Sequence, residues 1–286
     1  VITRVRHLAA VCALGTALTA LAACSAPDPV RAPRATPRSA VASASPAAGP
    51  PTLAPGPTGL TPVFEHGRRT GDRTVALTFD ADMTADQGPR AARGERFDNP
   101  GLIAALRELR VPSTVFMTGR WAEQYPRQAR SLGRDPLFEI ANHSYSHYAF
   151  TEDCYGLPTV DEERMRADVE RAYAAFRAAG VQDAMPYFRF PGGCHDTRAL
   201  KALVPAGVTA VQWDVVSGDA FATDARAVAR DVLAGVRPGS VVVLHCTLSA
   251  APTTERVVRQ VVPELRREGY RLVKVSELIG ASGGRR

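Results

Sequence analysis

The chain alternates short apolar runs with amphipathic stretches over most of its length. Thr74-Val75-Ala76-Leu77-Thr78-Phe79 has almost no polar break, as expected of a strand buried on both faces. Residues 114–117, 137–141, 187–190, 208–213, 240–244 and 271–275 read as further strands. Between them, helical periodicity marks residues 100–109, 121–132, 161–179, 225–236 and 254–268. In 161–179, Met165, Val169, Ala172, Phe176 and Ala179 step by four and three into one apolar stripe. Thr159 and Glu162 have capping-box spacing ahead of that helix, and Gly180 closes it. Strand–helix alternation means an α/β fold with a parallel sheet or barrel, in which chemistry collects at the C-terminal strand ends.

Two N-terminal segments depart from the alternation. Arg4 and Arg6 precede an apolar run over residues 8–23, the layout of a secretory leader and too short for a spanning helix. The run ends in Leu21-Ala22-Ala23-Cys24, which resembles the bacterial lipobox. That resemblance implies a signal peptide over 1–23, lipid on Cys24, and a protein anchored to the outer face of the bacterial cell membrane. Residues 24–62 are rich in Pro, Ala, Ser and Thr and nearly lack large apolar side chains. They bury too little to offset the entropy of ordering and read as a tether.

The remaining 63–286 suffices for one domain with a sizeable core. The formal charge of +6 overstates the basicity of that domain. Arg4 and Arg6 belong to the leader, and Arg31, Arg34 and Arg38, opposed by Asp28, to the tether. About +2 is left on the folded part, no footprint for nucleic acid. Of the five cysteines, Cys12 lies in the leader and Cys24 at the anchor. Export permits one disulfide among Cys154, Cys194 and Cys246 and leaves one thiol over; the sequence does not choose the pair.

Polar residues gather where the strands end. Asp80 and Asp82 follow the first strand, His143 and His147 the third; Arg189 ends the fourth, Asp219 follows the fifth, and His245 ends the sixth. Histidines four apart share a helical face and can reach one ion, and two imidazoles with a carboxylate leave the open position of a catalytic zinc site. Asp80 and Asp82 are two apart, so in extended chain they point the same way. One can ligate the metal while the other takes a proton. Arg189-Phe190-Pro191-Gly192-Gly193 is a proline turn whose glycines allow close backbone approach to a ligand.

Together these segments resemble the NodB-type polysaccharide deacetylases, carbohydrate esterase family four. Thr78-Phe79-Asp80, Asn142 to His147, Arg189 to Gly193, Trp213 to Asp219 and Val243-Leu244-His245 match its five motifs in order. The resemblance implies a distorted (β/α) barrel of the NodB-homology type with a groove across its top. It implies one divalent metal, usually zinc, on Asp82, His143 and His147. It makes Asp80 the general base, Arg189 its positioning residue, His245 the general acid and Asp219 the group that orients it. It gives the backbone N–H near Gly192 to the oxyanion.

Two departures stand out. The family's second aspartate directly follows the base; here Ala81 intervenes and Asp82 comes one later. The tryptophan usual after the fourth-motif aspartate is Ala220, which leaves Phe221 to supply an apolar wall at the substrate. The implied reaction is removal of N-acetyl groups from a cell-envelope polysaccharide such as peptidoglycan or a chitin-like glycan. The alternatives are an O-deacetylase of the acetylxylan type and a glycan-binding lipoprotein without catalysis.

Overall fold

The computed structural model describes residues 49–283. The leader over 1–23, the Cys24 anchor and most of the 24–62 tether lie outside the described residues.

Nine strands are described: β1 Val63–Phe64, β2 Thr74–Ala81, β3 Ser113–Met117, β4 Phe138–Asn142, β5 Tyr187–Phe188, β6 Thr209–Val211, β7 Val215–Val216, β8 Ser240–His245 and β9 Arg271–Leu272. They form one sheet in the order β1-β6-β5-β4-β3-β2-β8-β7, with β9 also on β2, and every pairing is parallel. Among the described residues β1 and β7 end the order unpaired with each other, so the sheet curls into a distorted (β/α) barrel without closing. The helices are α1 Gln87–Ala92, α2 Pro100–Glu108, α3 Gly119–Gln124, α4 Pro126–Gly133, α5 Glu162–Ala179, α6 Thr197–Ala202, α7 Ala225–Gly235, α8 Thr254–Arg267 and α9 Val275–Ala281.

The pleat of β2 explains where the core lies. Val75, Leu77, Phe79 and Ala81 face outward into the main hydrophobic cluster under the helices. The alternate residues face the barrel interior: Ala76 joins a small inner cluster with Phe64, Phe116 and Val241. Thr78 donates to the Val242 carbonyl at 2.7 Å, and Asp80 follows. The interior thus turns from apolar to polar toward the strand ends. The α5 stripe of Met165, Val169, Ala172, Phe176 and Ala179 is buried, and Gly180 closes the helix in the left-handed region at φ 90°.

Several local expectations are corrected. The helix expected over 121–132 is two helices, because Pro126 forces Tyr125 out of helical geometry and opens a new first turn. Thr159 does not cap α5. Asp161 occupies the cap position, and the Thr159 hydroxyl donates instead to the Thr151 carbonyl across its own loop. The strand expected over 271–275 stops at Leu272, and Val275 begins α9. The folded part reaches back beyond 63. Leu53 N–H donates to the Thr209 hydroxyl at 3.1 Å, and the Pro51 carbonyl accepts from Tyr187 Oη at 2.7 Å. The end of the Pro-rich segment therefore packs on the barrel rather than hanging free.

Cys154 and Cys194 form the disulfide, and Cys246 is free and buried. The bridge staples the loop between β4 and α5 to the turn after β5 across 40 residues of chain. Reduction, or the double change Cys154→Ala and Cys194→Ala, is expected to cost on the order of 2–4 kcal/mol by releasing that loop in the unfolded chain. Denaturant unfolding of oxidised and reduced protein measures the difference.

Candidate functional site

The site is assembled from the C-terminal ends of β2, β4, β5 and β8. Because β2 remains a strand through Ala81, with Ala81 paired to Met117 and buried in the core, the side chains of Asp80 and Asp82 emerge on one face. The extra residue between the two aspartates is thus the one that the pleat hides.

Arg189 fixes Asp80. Its guanidinium has no exposure at all. Nη1 donates to Asp80 Oδ1 at 2.7 Å, Nε to the Val211 carbonyl at 3.1 Å and Nη2 to the Gln212 carbonyl at 3.4 Å. The guanidinium also stacks over Phe116 at 3.9 Å. With Oδ1 held, Oδ2 is the oxygen turned to the histidines, 3.7 Å from His143 Nε2.

His143 and His147 do not sit on a helix, contrary to the expectation from their spacing. They flank a loop in which Ser144 and His147 are left-handed, at φ 69° and 57°. Polar side chains impose that shape. Asn142 Oδ1 accepts from Ser144 N–H at 2.8 Å, and Asp168 on α5 accepts from Tyr145 N–H at 2.6 Å. The Ser144 hydroxyl accepts from His147 N–H at 2.9 Å. The loop brings the two imidazole centroids to 5.0 Å.

His143 Nδ1 lies 2.9 Å from the Arg189 carbonyl, which can only accept, so Nδ1 donates there and Nε2 is the nitrogen turned toward the aspartates. Burial pushes the His147 imidazole down, to about 4, so it is neutral near pH 7. Asp82 Oδ2 stands 3.7 Å from His147 Nε2, and its Oδ1 accepts from the Thr247 hydroxyl at 2.5 Å. Burial pushes the Asp82 carboxyl up. His147, His245, the Thr247 hydroxyl and His143 together outweigh it and hold the carboxyl below its ordinary value.

Two imidazoles and a carboxylate are the donor chemistry of a divalent zinc-like ion. Two ligands of one tetrahedral zinc stand roughly 3.4 Å apart at ordinary bond lengths, so the Asp82–His147 pair at 3.7 Å is spaced slightly wider. Among the described residues no three such groups enclose an ion as they stand. The donor types fit a metal, in a cluster a little more open than a filled one.

Across the sheet, β8 places His245 beside Asp80 in register. Asp219 is fully buried; its Oδ1 meets His245 Nδ1 at 2.7 Å and its Oδ2 accepts from His245 N–H at 2.8 Å and the Thr254 hydroxyl at 2.6 Å. Burial pushes the His245 imidazole down, but the hydrogen bond and charge of Asp219, backed by Asp82 and Asp80, lift it to about 9. Gly192 lies in the Pro191–Gly193 turn at φ 67°, where a β-carbon would come 2.6 Å from Cys154 Sγ, so only glycine fits. Phe221, two residues past Asp219, projects into solvent, and its ring takes no part in this hydrogen-bonded cluster. Sequence reasoning missed Thr247 and Thr254, which clamp the two carboxylates; hydroxyl residues carry no spacing signal of their own.

The family model for polysaccharide deacetylases matches residues 67–211, half of the chain. A chitooligosaccharide deacetylase of a Bradyrhizobium species is 28% identical over 77% of this chain and 99% of its own length. Another from Sinorhizobium fredii is 32% identical over 62% of this chain and 73% of its own. Among solved structures, a peptidoglycan N-acetylglucosamine deacetylase superposes with a TM-score of 0.63 and 23% identity, over 79% of this chain and 96% of that one.

The folded pKa of His245 lies above its ordinary 6.5. The raised His245 pKa therefore contributes stability that is full below about pH 6.5 and is lost as the pH rises through about 9, while the depressed Asp219 carboxyl contributes stability that is lost as the pH falls into the acid range. In metal-free protein the His245 imidazole is expected to titrate near 9, and Asp219→Asn to bring it down toward the ordinary value. An NMR pH titration of both proteins checks this.

Proposed function

The chain belongs to the polysaccharide deacetylase family, and from that premise we propose that it is a metal-dependent hydrolase removing N-acetyl groups from a cell-envelope glycan, peptidoglycan or a chitin-like polymer. The observation that carries the reading is the convergence of an Arg189-held Asp80, an imidazole pair with Asp82, and a cationic His245 on one rim. The lipobox resemblance at Cys24 supports a site of action on the outer face of the cell membrane, where such glycans lie.

Asp82, His143 and His147 would hold one divalent ion, zinc by their donor types. Such an ion, when bound, supplies a Lewis acid for the acetyl carbonyl and for water.

The remaining steps belong to the chain's own groups. Asp80 accepts the proton of the attacking water at Oδ2, because Arg189 occupies Oδ1. The Gly192 N–H, on a turn that admits no side chain, is a donor to the tetrahedral oxyanion. His245 has Nδ1 committed to Asp219, so Nε2 gives its proton to the departing nitrogen. Water adds across the amide bond, and acetate and the glycan amine leave. Phe221 offers an apolar ring at the rim for the bound sugar.

Acetate release from chitin oligomers, peptidoglycan and acetylated xylan tests the reading, before and after stripping metal and after adding zinc or cobalt. Metal-dependent release from an N-acetyl glycan is the expected result. Asp80→Asn is expected to lower kcat by roughly 10²–10⁴-fold. Release from xylan alone would move the activity to ester cleavage, and binding of glycan without any release would leave a non-catalytic protein. An Asp80→Asn variant with near-wild-type turnover would falsify the assignment of the base.

A further inference from the structure

Two large aromatic side chains stand almost free of the fold, Tyr155 at 87% and Phe221 at 83% exposure. Both occupy left-handed backbone, at φ 51° and 61°. A bulky residue is strained there, and an exposed ring gains no burial in return. Folding alone does not account for either of them.

Each is nevertheless anchored. Tyr155 follows Cys154, which is tied to Cys194, and precedes Gly156 in a second left-handed position at φ 72°. The Leu157 N–H closes the turn on the Cys154 carbonyl at 3.0 Å. Phe221 N–H donates to the Ala250 carbonyl at 2.6 Å.

The neighbours of Tyr155 are those of the reaction centre. A β-carbon on Gly192 would lie 3.4 Å from Tyr155 Cδ2, and one on Gly193 2.5 Å from the Trp213 ring. The Pro191–Gly193 turn therefore runs between two aromatic rings, and its glycines make room for both. In the strand order the Tyr155 loop follows β4, while Phe221 follows β7; the carboxylates of β2 lie between.

We infer that Tyr155 is a sugar-stacking residue, its ring taking the apolar C–H face of a pyranose next to the one being deacetylated, with Phe221 taking another ring across the site. This rests on the glycan reading above. An uncharged, rigid ring with a wet face and few rotors suits a neutral pyranose. The disulfide loop holds it in place ahead of binding, so little ordering remains to be done when the glycan arrives.

The test uses the purified chain and N-acetylglucosamine oligomers of two to six sugars, with calorimetric Kd beside acetate release and hydrolysis of 4-nitrophenyl acetate. Tyr155→Ala is expected to weaken binding of the longest oligomer roughly three- to tenfold, with hydrolysis of the small ester unchanged, while Tyr155→Phe keeps wild-type affinity. Tyr155→Gly is expected to weaken binding equally yet raise the thermal midpoint, since glycine relieves the left-handed strain. Unchanged oligomer affinity in Tyr155→Ala overturns the inference, as does an equal loss on the ester, which would mark a structural role. Wild-type protein that binds oligomers through Tyr155 but releases no acetate would leave the inference standing and remove the enzymatic reading. Wild-type protein that binds no oligomer overturns it, and a concentration-dependent mass lost in Tyr155→Ala would assign the ring to self-association instead.

Discussion

A guanidinium with no exposure cannot remain in a barrel interior without a charge and hydrogen-bond acceptors around it. Arg189 meets that condition through Asp80 on β2, the Val211 and Gln212 carbonyls at the end of β6, and the faces of Phe116 and Trp213. The pair ties the centre of the sheet to its β5–β6 side at the level of the strand ends. It also gives Asp80 one occupied oxygen and one open one. The Arg189 carbonyl in turn accepts from His143 Nδ1 and fixes the orientation of that ring. One buried residue thus orients both a carboxylate and an imidazole, and losing either member of the ion pair would leave the other charge stranded.

Around that pair, polar side chains hold strained backbone in place. Asn142 and Asp168 satisfy the amides of the histidine loop, and the Asp168 contacts come from α5, an element of the outer layer. Thr247 and Thr254 play the same part for Asp82 and Asp219. Of the five left-handed non-glycine residues described, Ser144, His147, Tyr155 and Phe221 lie in the loops around the site, and only Arg110, ahead of β3, does not. Strain of this kind persists only where surrounding contacts over-determine it. Here those contacts are a disulfide, the half-buried Asp168 carboxylate and the tight passage of the Gly192–Gly193 turn.

The sequence by itself determined the α/β class, the principal strands and the strand-end positions of Asp80, His143, Arg189 and His245. Those signals are local: an apolar run buried on both faces ends abruptly in a polar residue, and the parallel sheet leaves that end open. The pleat has period two, so the spacing of Asp80 and Asp82 was enough to put both on one face. The spacing of His143 and His147 fitted a helix equally well as a loop. Only the amide acceptors from Asn142 and Asp168, the second of them distant in sequence, decided for the loop. The choice of Cys194 over Cys246 as the partner of Cys154 depended on which chain segments meet in space. So did the clamps on the carboxylates, the packing of residues 51–62 on the barrel, and the exposure of Tyr155. Periodicity records what a residue does within its own element, whereas these features arise between elements far apart in the chain, and tertiary packing alone brings them within reach.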